Sequence, residues 1–145
     1  MHDARPRVLL AEGDPERLNE LLAWLEPDGY RVLVARDAAE AVDLAATHHP
    51  DLLLLDLELP GGGGYAVVEA LHARPLARAP EVIFLTNLAR PEQIREGFAA
   101  GAVDYITRPF SPAQLRARVR TWLLRLEQVE PRAGEAPERP EPCSG

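Results

Sequence analysis

The 145-residue chain is predicted to fold as an α/β domain, a doubly wound five-stranded parallel sheet with five helices. Three observations predict this. Five short apolar runs of strand length alternate with five amphipathic helical patterns, and right-handed crossovers then lay helices over both faces of one sheet. Four of the runs end in a polar or charged residue, namely Glu12, Asp56, Thr86 and Arg108, so four distant positions fall at the carboxyl edge where such sheets bind ligands. A hydrophobic content of 46% supports one packed core, in a chain too short for two ordinary domains.

The central stretch is 51–64, DLLLLDLELPGGGG. Four consecutive leucines between Pro50 and a glycine cluster make a strand buried on both faces, and Asp56 ends it. Before it, residues 7–12 (RVLLAE) form the first strand. Asp14 then caps a helix with Pro15 at its first position and an apolar stripe of Leu18, Leu21, Leu22 and Leu25. Pro27-Asp28-Gly29 stops that helix. Residues 30–35 (YRVLVA) make the second strand, and Asp37 and Glu40 form the capping box of a second helix on Ala38, Ala41, Val42 and Ala45.

A third helix spans about 64–72 with Val67, Val68 and Leu71 inward, and residues 81–85 (EVIFL) are the fourth strand, ending in Thr86-Asn87. The fourth helix, 91–100, is expected to be the least stable, with Gly97 inside it and only Ile94 and Phe98 as large anchors. Residues 104–107 (DYIT) are the fifth strand. Ser111 and Gln114 cap a last helix running to about Leu126 on Leu115, Val119, Trp122 and Leu126, with Arg116, Arg118, Arg120 and Arg125 on its other faces. The domain is therefore 1–126. Residues 127–145 carry four prolines, five acids and little that is apolar, which predicts a disordered acidic proline-rich tail or linker.

Charge and composition exclude several functions. The net charge of −7 divides into −4 over residues 1–126 (14 Arg, 18 acidic) and −3 over 127–145 (2 Arg, 5 acidic), which argues against direct nucleic-acid binding. All 16 basic residues are arginine. No apolar run approaches a membrane span and the start does not look like a signal peptide, so a cytoplasmic protein is expected. Cys143 is the only cysteine, a bystander thiol, and His2, His48, His49 and His72 read as surface residues. Gly61–Gly64 is not a phosphate loop, since neither G-x-x-x-x-G-K-[ST] nor G-x-G-x-x-G after the first strand is present; mobility beside Asp56 is the role expected of it. Asp56-Leu57-Glu58 has the acid spacing of aspartate-based phosphatases, but no cap or lysine accompanies it, and no enzyme is expected.

The segments RVLLAEGDPERL, DLLLLDLELPGGGG, FLTN, GAVDYITRPF and SPAQLRARVRTWL, in that order over about 7–126, resemble those of a response-regulator receiver domain, the phospho-acceptor half of two-component signalling. The resemblance implies the flavodoxin-like strand order 2-1-3-4-5. It also implies that Asp56 takes a phosphoryl group from a histidine kinase or phosphotransfer protein, with Mg²⁺ held by Glu12, Asp56 and the Glu58 backbone carbonyl. Thr86 then matches the hydroxyl that bonds the phosphoryl group and Tyr105 the aromatic that moves with it. These changes would alter the surface of helix 4, strand 5 and helix 5, where a downstream protein partner or a missing output domain binds. A homodimer through the same surface, drawing on Asp104 and the last helix's arginines, is a further expectation.

Two positions depart from the pattern. Gly13 stands where the family usually has a second acid, so Mg²⁺ binding is expected to be weakened, with Asp14 as the alternative ligand. Arg108 stands where the family has lysine, and a planar fork is no conservative exchange at a tight phosphate site; it is expected to pair with Asp56 at rest and favour a constitutive conformer. The competing readings are a receiver-like interaction module not regulated by phosphorylation, and a flavodoxin-like nucleotide or flavin binder, for which no aromatic-rich loop is present.

Overall fold

The computed structural model describes residues 4–74, 76, 80–87 and 90–129. Five parallel strands, β1 (Arg7–Ala11), β2 (Arg31–Ala35), β3 (Leu52–Asp56), β4 (Glu81–Thr86) and β5 (Asp104–Thr107), form one sheet in the order β2-β1-β3-β4-β5. Between and after them run α1 (Pro15–Leu25), α2 (Ala38–His48), α3 (Gly63–His72), α4 (Pro91–Ala99) and α5 (Pro112–Val129), with a 3₁₀ turn at Glu26–Asp28. Both the alternation and the strand order are as expected.

Alternation along the strands sends side chains to two separate layers. Leu9, Leu53, Leu55 and Phe84 pack with α2 and α3 on one face, while Val8, Leu10, Leu52, Leu54, Ile83 and Leu85 pack with α1 and α5 on the other. Every residue of β3 is buried. The small stripe of α2, Ala38, Ala41 and Ala45, lies in the first layer, and Leu18, Leu21 and Leu25 of α1 lie in the second. The three caps form as the sequence dictates: the Asp14 carboxylate accepts from the Arg17 amide at 3.0 Å, Asp37 from the Glu40 amide at 2.8 Å and the Ser111 hydroxyl from the Gln114 amide at 3.1 Å.

Three expectations need correction. Phe98 is no anchor, since it is 46% exposed; of α4 only Gly97 is buried, because the Tyr105 ring occupies the space beneath it. In α5 Leu123 joins Leu115 and Val119 as a fully buried position that the stripe omitted, while Trp122 packs half-buried against the same layer and its indole N–H donates to Asp104 Oδ2 at 3.0 Å. Helix α5 also continues to Val129, past the expected end near Leu126, because Glu127 and Gln128 favour helix and no proline occurs before Pro131. The tail from residue 130 onward lies outside the described residues.

The arginines of α5 are used within the chain. Arg116 donates twice to Asp28, at 3.1 and 2.9 Å, and Arg120 once at 3.3 Å, tying the end of α1 to α5. Arg118 pairs with Asp104 at 2.8 Å, and Arg125 lies over the Trp122 ring. These bonds, Arg116 foremost, hold the Asp28 carboxyl below its usual pKa. The stabilisation is therefore present above the unfolded-state value near about 4 and is lost as pH falls through the lower folded-state value. Asp28→Asn is expected to lower the Tm at neutral pH, with the gap from wild type closing as the pH falls below about 4, as measured by thermal denaturation across pH.

Candidate functional site

Parallel pairing puts the ends of β1, β3, β4 and β5 on one edge, and three of the predicted residues meet there. Glu12 directly follows β1 and extends its ladder, its amide donating to the Ala35 carbonyl at 3.0 Å. Asp56 is the last residue of β3, beside Leu85 of β4. Arg108 directly follows β5, its amide held by the Thr86 carbonyl at 2.8 Å. The exposures of Glu12, Asp56 and Thr86 are 0%, 3% and 1%. Buried carboxylates at a sheet edge have to be compensated.

Arg108 supplies the compensation. Its Nη2 donates to Glu12 Oε1 at 3.0 Å and its Nη1 lies 3.9 Å from Asp56 Oδ1, so the closer partner is Glu12 and not the expected Asp56. The other oxygen of Glu12 accepts from the Asp14 amide at 3.0 Å, with Arg17 Nε 3.5 Å away. Asp56 Oδ1 accepts from the Glu58 amide at 3.1 Å. Burial pushes the Glu12 carboxyl up and the Asp56 charge adds to that, while the Asp14 amide, Arg108 and Arg17 oppose it. Thr86 stands one residue beyond the partner of Asp56, opposite Thr107.

The model of the response regulator receiver domain matches residues 8–120. The chain belongs to this family. The receiver is 36% identical over 124 residues to the phosphate regulon transcriptional regulatory protein PhoB of Escherichia coli, covering 85% of this chain and 54% of that protein. It thus spans about half the length of the curated relatives it matches. Among solved structures, a CheY-like receiver domain protein from Methanospirillum hungatei is similar at a TM-score of 0.78 and 28% identity, covering 86% of this chain and 98% of that one. The receiver domain of the sensor histidine kinase PA1611 from Pseudomonas aeruginosa, with a magnesium ion coordinated in its active-site cleft, is similar at 0.74 and 31%, covering 83% and 98%.

The donors in this receiver suit a hard divalent cation in kind but are few. Glu12 and Asp56 supply side-chain carboxyl oxygens, while the Glu58 side chain is exposed. Among the described residues no group of three or more His, Cys, Asp or Glu is arranged to hold a metal. Asp14, the alternative ligand, uses Oδ2 to cap α1.

Gly13 proves to be more than a missing acid. A Cβ at Gly13 would lie 2.5 Å from Pro60 Cδ and 2.7 Å from Pro60 Cγ, so the Pro60 ring occupies the room a side chain needs. Pro60 is itself held, its carbonyl accepting from the Ala38 amide at 2.8 Å. What the structure requires of the glycines that follow is backbone shape rather than looseness. Gly61, Gly62 and Gly63 have φ of 90°, 124° and 88°, and Gly63 and Gly64 donate back to the Leu59 and Leu57 carbonyls.

Tyr105 points inward, and its hydroxyl lies 2.8 Å from that of Tyr65 on α3; the Gln93 carbonyl is within hydrogen-bond distance of both, at 3.0 and 2.7 Å, so two protons serve a three-membered cluster. Burial, then the Tyr65 hydroxyl, raise the Tyr105 pKa. Gly97 admits the Tyr105 ring, which a Cβ there would strike. Sequence reasoning missed Tyr65 and Pro60; only an aromatic at the start of α3 and a proline before the glycines marked them. Gly13→Asp is expected to destabilise the fold by about 1–3 kcal/mol through overpacking against Pro60, measured by urea denaturation.

Proposed function

We propose that this receiver is the phospho-acceptor module of a two-component response regulator, taking a phosphoryl group onto Asp56 from a sensor histidine kinase or phosphotransfer protein. The observation that carries this reading is the buried pair Glu12 and Asp56 at the sheet edge with Arg108 between them. In the transfer, an Asp56 oxygen attacks phosphorus, the bond from phosphorus to the donor imidazole nitrogen breaks, and that nitrogen keeps the electron pair and takes up a proton. Glu12, Asp56 and the Glu58 carbonyl are the residues that would hold Mg²⁺. The ion, when bound, supplies neutralisation of the phosphoryl oxygens during transfer.

Beside Arg108 a cleft of about 260 Å³ opens between α1 and the turn after β5, lined by Arg17, Leu21, Trp24, Pro109 and Phe110 among others. The Arg108 guanidinium lies 5.8 Å from the Phe110 ring centroid. The Thr86 hydroxyl bonds the phosphoryl group, and Tyr105 carries the change to the α4-β5-α5 surface, which a downstream protein partner or an output domain reads. A homodimer through that surface has to exchange the internal pair Arg118–Asp104 for one across a two-fold axis.

Receiver domains are regulatory modules, and this one acts as such rather than as an enzyme. No helix among the described residues is long and apolar enough to cross a membrane, and a cytoplasmic location fits the kinase partner. Incubating the chain with a small acyl phosphate and Mg²⁺ should add one phosphoryl group to the intact mass, and Asp56→Asn should add none. Equal labelling of wild type and Asp56→Asn contradicts the assignment, as does a wild type that stays unlabelled.

A further inference from the structure

The two buried carboxylates of the site face two guanidinium groups of the same chain. Arg108 reaches Glu12 at 3.0 Å and Asp56 at 3.9 Å, and Arg17 reaches the other Glu12 oxygen at 3.5 Å. Both Glu12 oxygens therefore have partners, one in Arg108 and one in the Asp14 amide with Arg17 beside it. A divalent ion entering between Glu12 and Asp56 meets Arg108 already on the oxygen it needs. The charge is close to balanced without the ion, and adding two positive charges next to Arg108 is unfavourable until Arg108 leaves.

Position 13 brings no ligand to the site either. Pro60 fills the space beside Gly13 and is fixed to the start of α2 through Ala38, so no side-chain oxygen from position 13 can offset the competition. Arg108 is only 14% exposed, with one guanidinium nitrogen hydrogen-bonded to Glu12 and the other 3.9 Å from Asp56, so its charge lies close to both acids.

We infer that Arg108 is a built-in competitor for the divalent cation: the ion and the Arg108–Glu12 pair exclude each other, and the site opens to Mg²⁺ only when Arg108 swings off Glu12. This deepens the phospho-acceptor reading by naming the residue that sets the ion requirement, and it makes Arg108 a positioning residue for Glu12 in the resting state. The exchange also gives the receiver a resting form whose acid pair is neutralised from within.

Titrating the full chain with Mn²⁺, followed by electron paramagnetic resonance of the free ion, tests it. Arg108→Met should bind Mn²⁺ tighter than wild type by about tenfold or more, the scale of removing one charge some 4 Å away in a partly screened site. Arg108→Lys, with a compact charge that cannot fork across both acids, should fall between. Arg17→Met should gain less than Arg108→Met. Unchanged or weaker Mn²⁺ binding by a folded Arg108→Met overturns the inference.

Should Arg108→Met be unfolded without the ion, Mn²⁺ should restore its circular dichroism at concentrations that leave the wild-type Tm unmoved; failure to restore it equally overturns the inference. Phosphoryl uptake from a small acyl phosphate in the same samples separates the two claims. Uptake by wild type with equal ion affinity across the variants removes the competition and leaves the phospho-acceptor. Tighter ion binding by Arg108→Met with no uptake by any sample does the reverse.

Discussion

The arrangement depends on the placing of two neighbouring carboxyl groups where almost no solvent reaches. Glu12 and Asp56 come from adjacent parallel strands whose register leaves them side by side at the edge, buried to 0% and 3% exposure. An uncompensated ionised carboxylate in such a setting costs several kcal/mol, so the site is stable only with positive charge drawn in. Arg108 brings that charge from two strands away. Its backbone is tied to Thr86, so β4 and β5 jointly decide where the guanidinium can go.

From the same edge a continuous packed layer leads toward α4. Gly64 lets the start of α3 lie against Phe84 and the Asp56 carbonyl, where a Cβ would come within 2.8 and 3.1 Å. The Phe84 ring in turn contacts Tyr65, with centroids 5.1 Å apart, and Tyr105, at 5.5 Å. The two tyrosine hydroxyls close on the Gln93 carbonyl in the first turns of α4. A displacement in the loop after β3 thus has packed neighbours to push against, and α4 is joined to this layer through the tyrosines, Gly97 and the half-buried Ile94.

Sequence reading captured the fold almost whole because it rests on local signals: leucine-rich strands, capping residues at Asp14 and Asp37, and prolines at helix starts. That Glu12, Asp56, Thr86 and Arg108 lie along one edge was legible for the same reason, since a polar residue ending an apolar run in a parallel sheet falls at the carboxyl edge. What stayed hidden was contact across the chain. That Arg108 grips Glu12 more closely than Asp56, that Pro60 fills the space at Gly13, and that Tyr65 meets Tyr105 all depend on side-chain reach between segments 40 or more positions apart. The helix faces were misjudged where partners modify the apolar stripe, as with Trp122 donating to Asp104 and Phe98 lying 46% exposed against the Tyr105 ring.

The central claim is that the cation neutralising the acid pair at rest is Arg108 itself. Crystals of the chain grown without divalent ion and then soaked in Mn²⁺ test it most directly. Anomalous density between Glu12 and Asp56 should appear only together with an Arg108 side chain turned away from Glu12. Manganese bound there while Arg108 still hydrogen-bonds Glu12 would contradict the account.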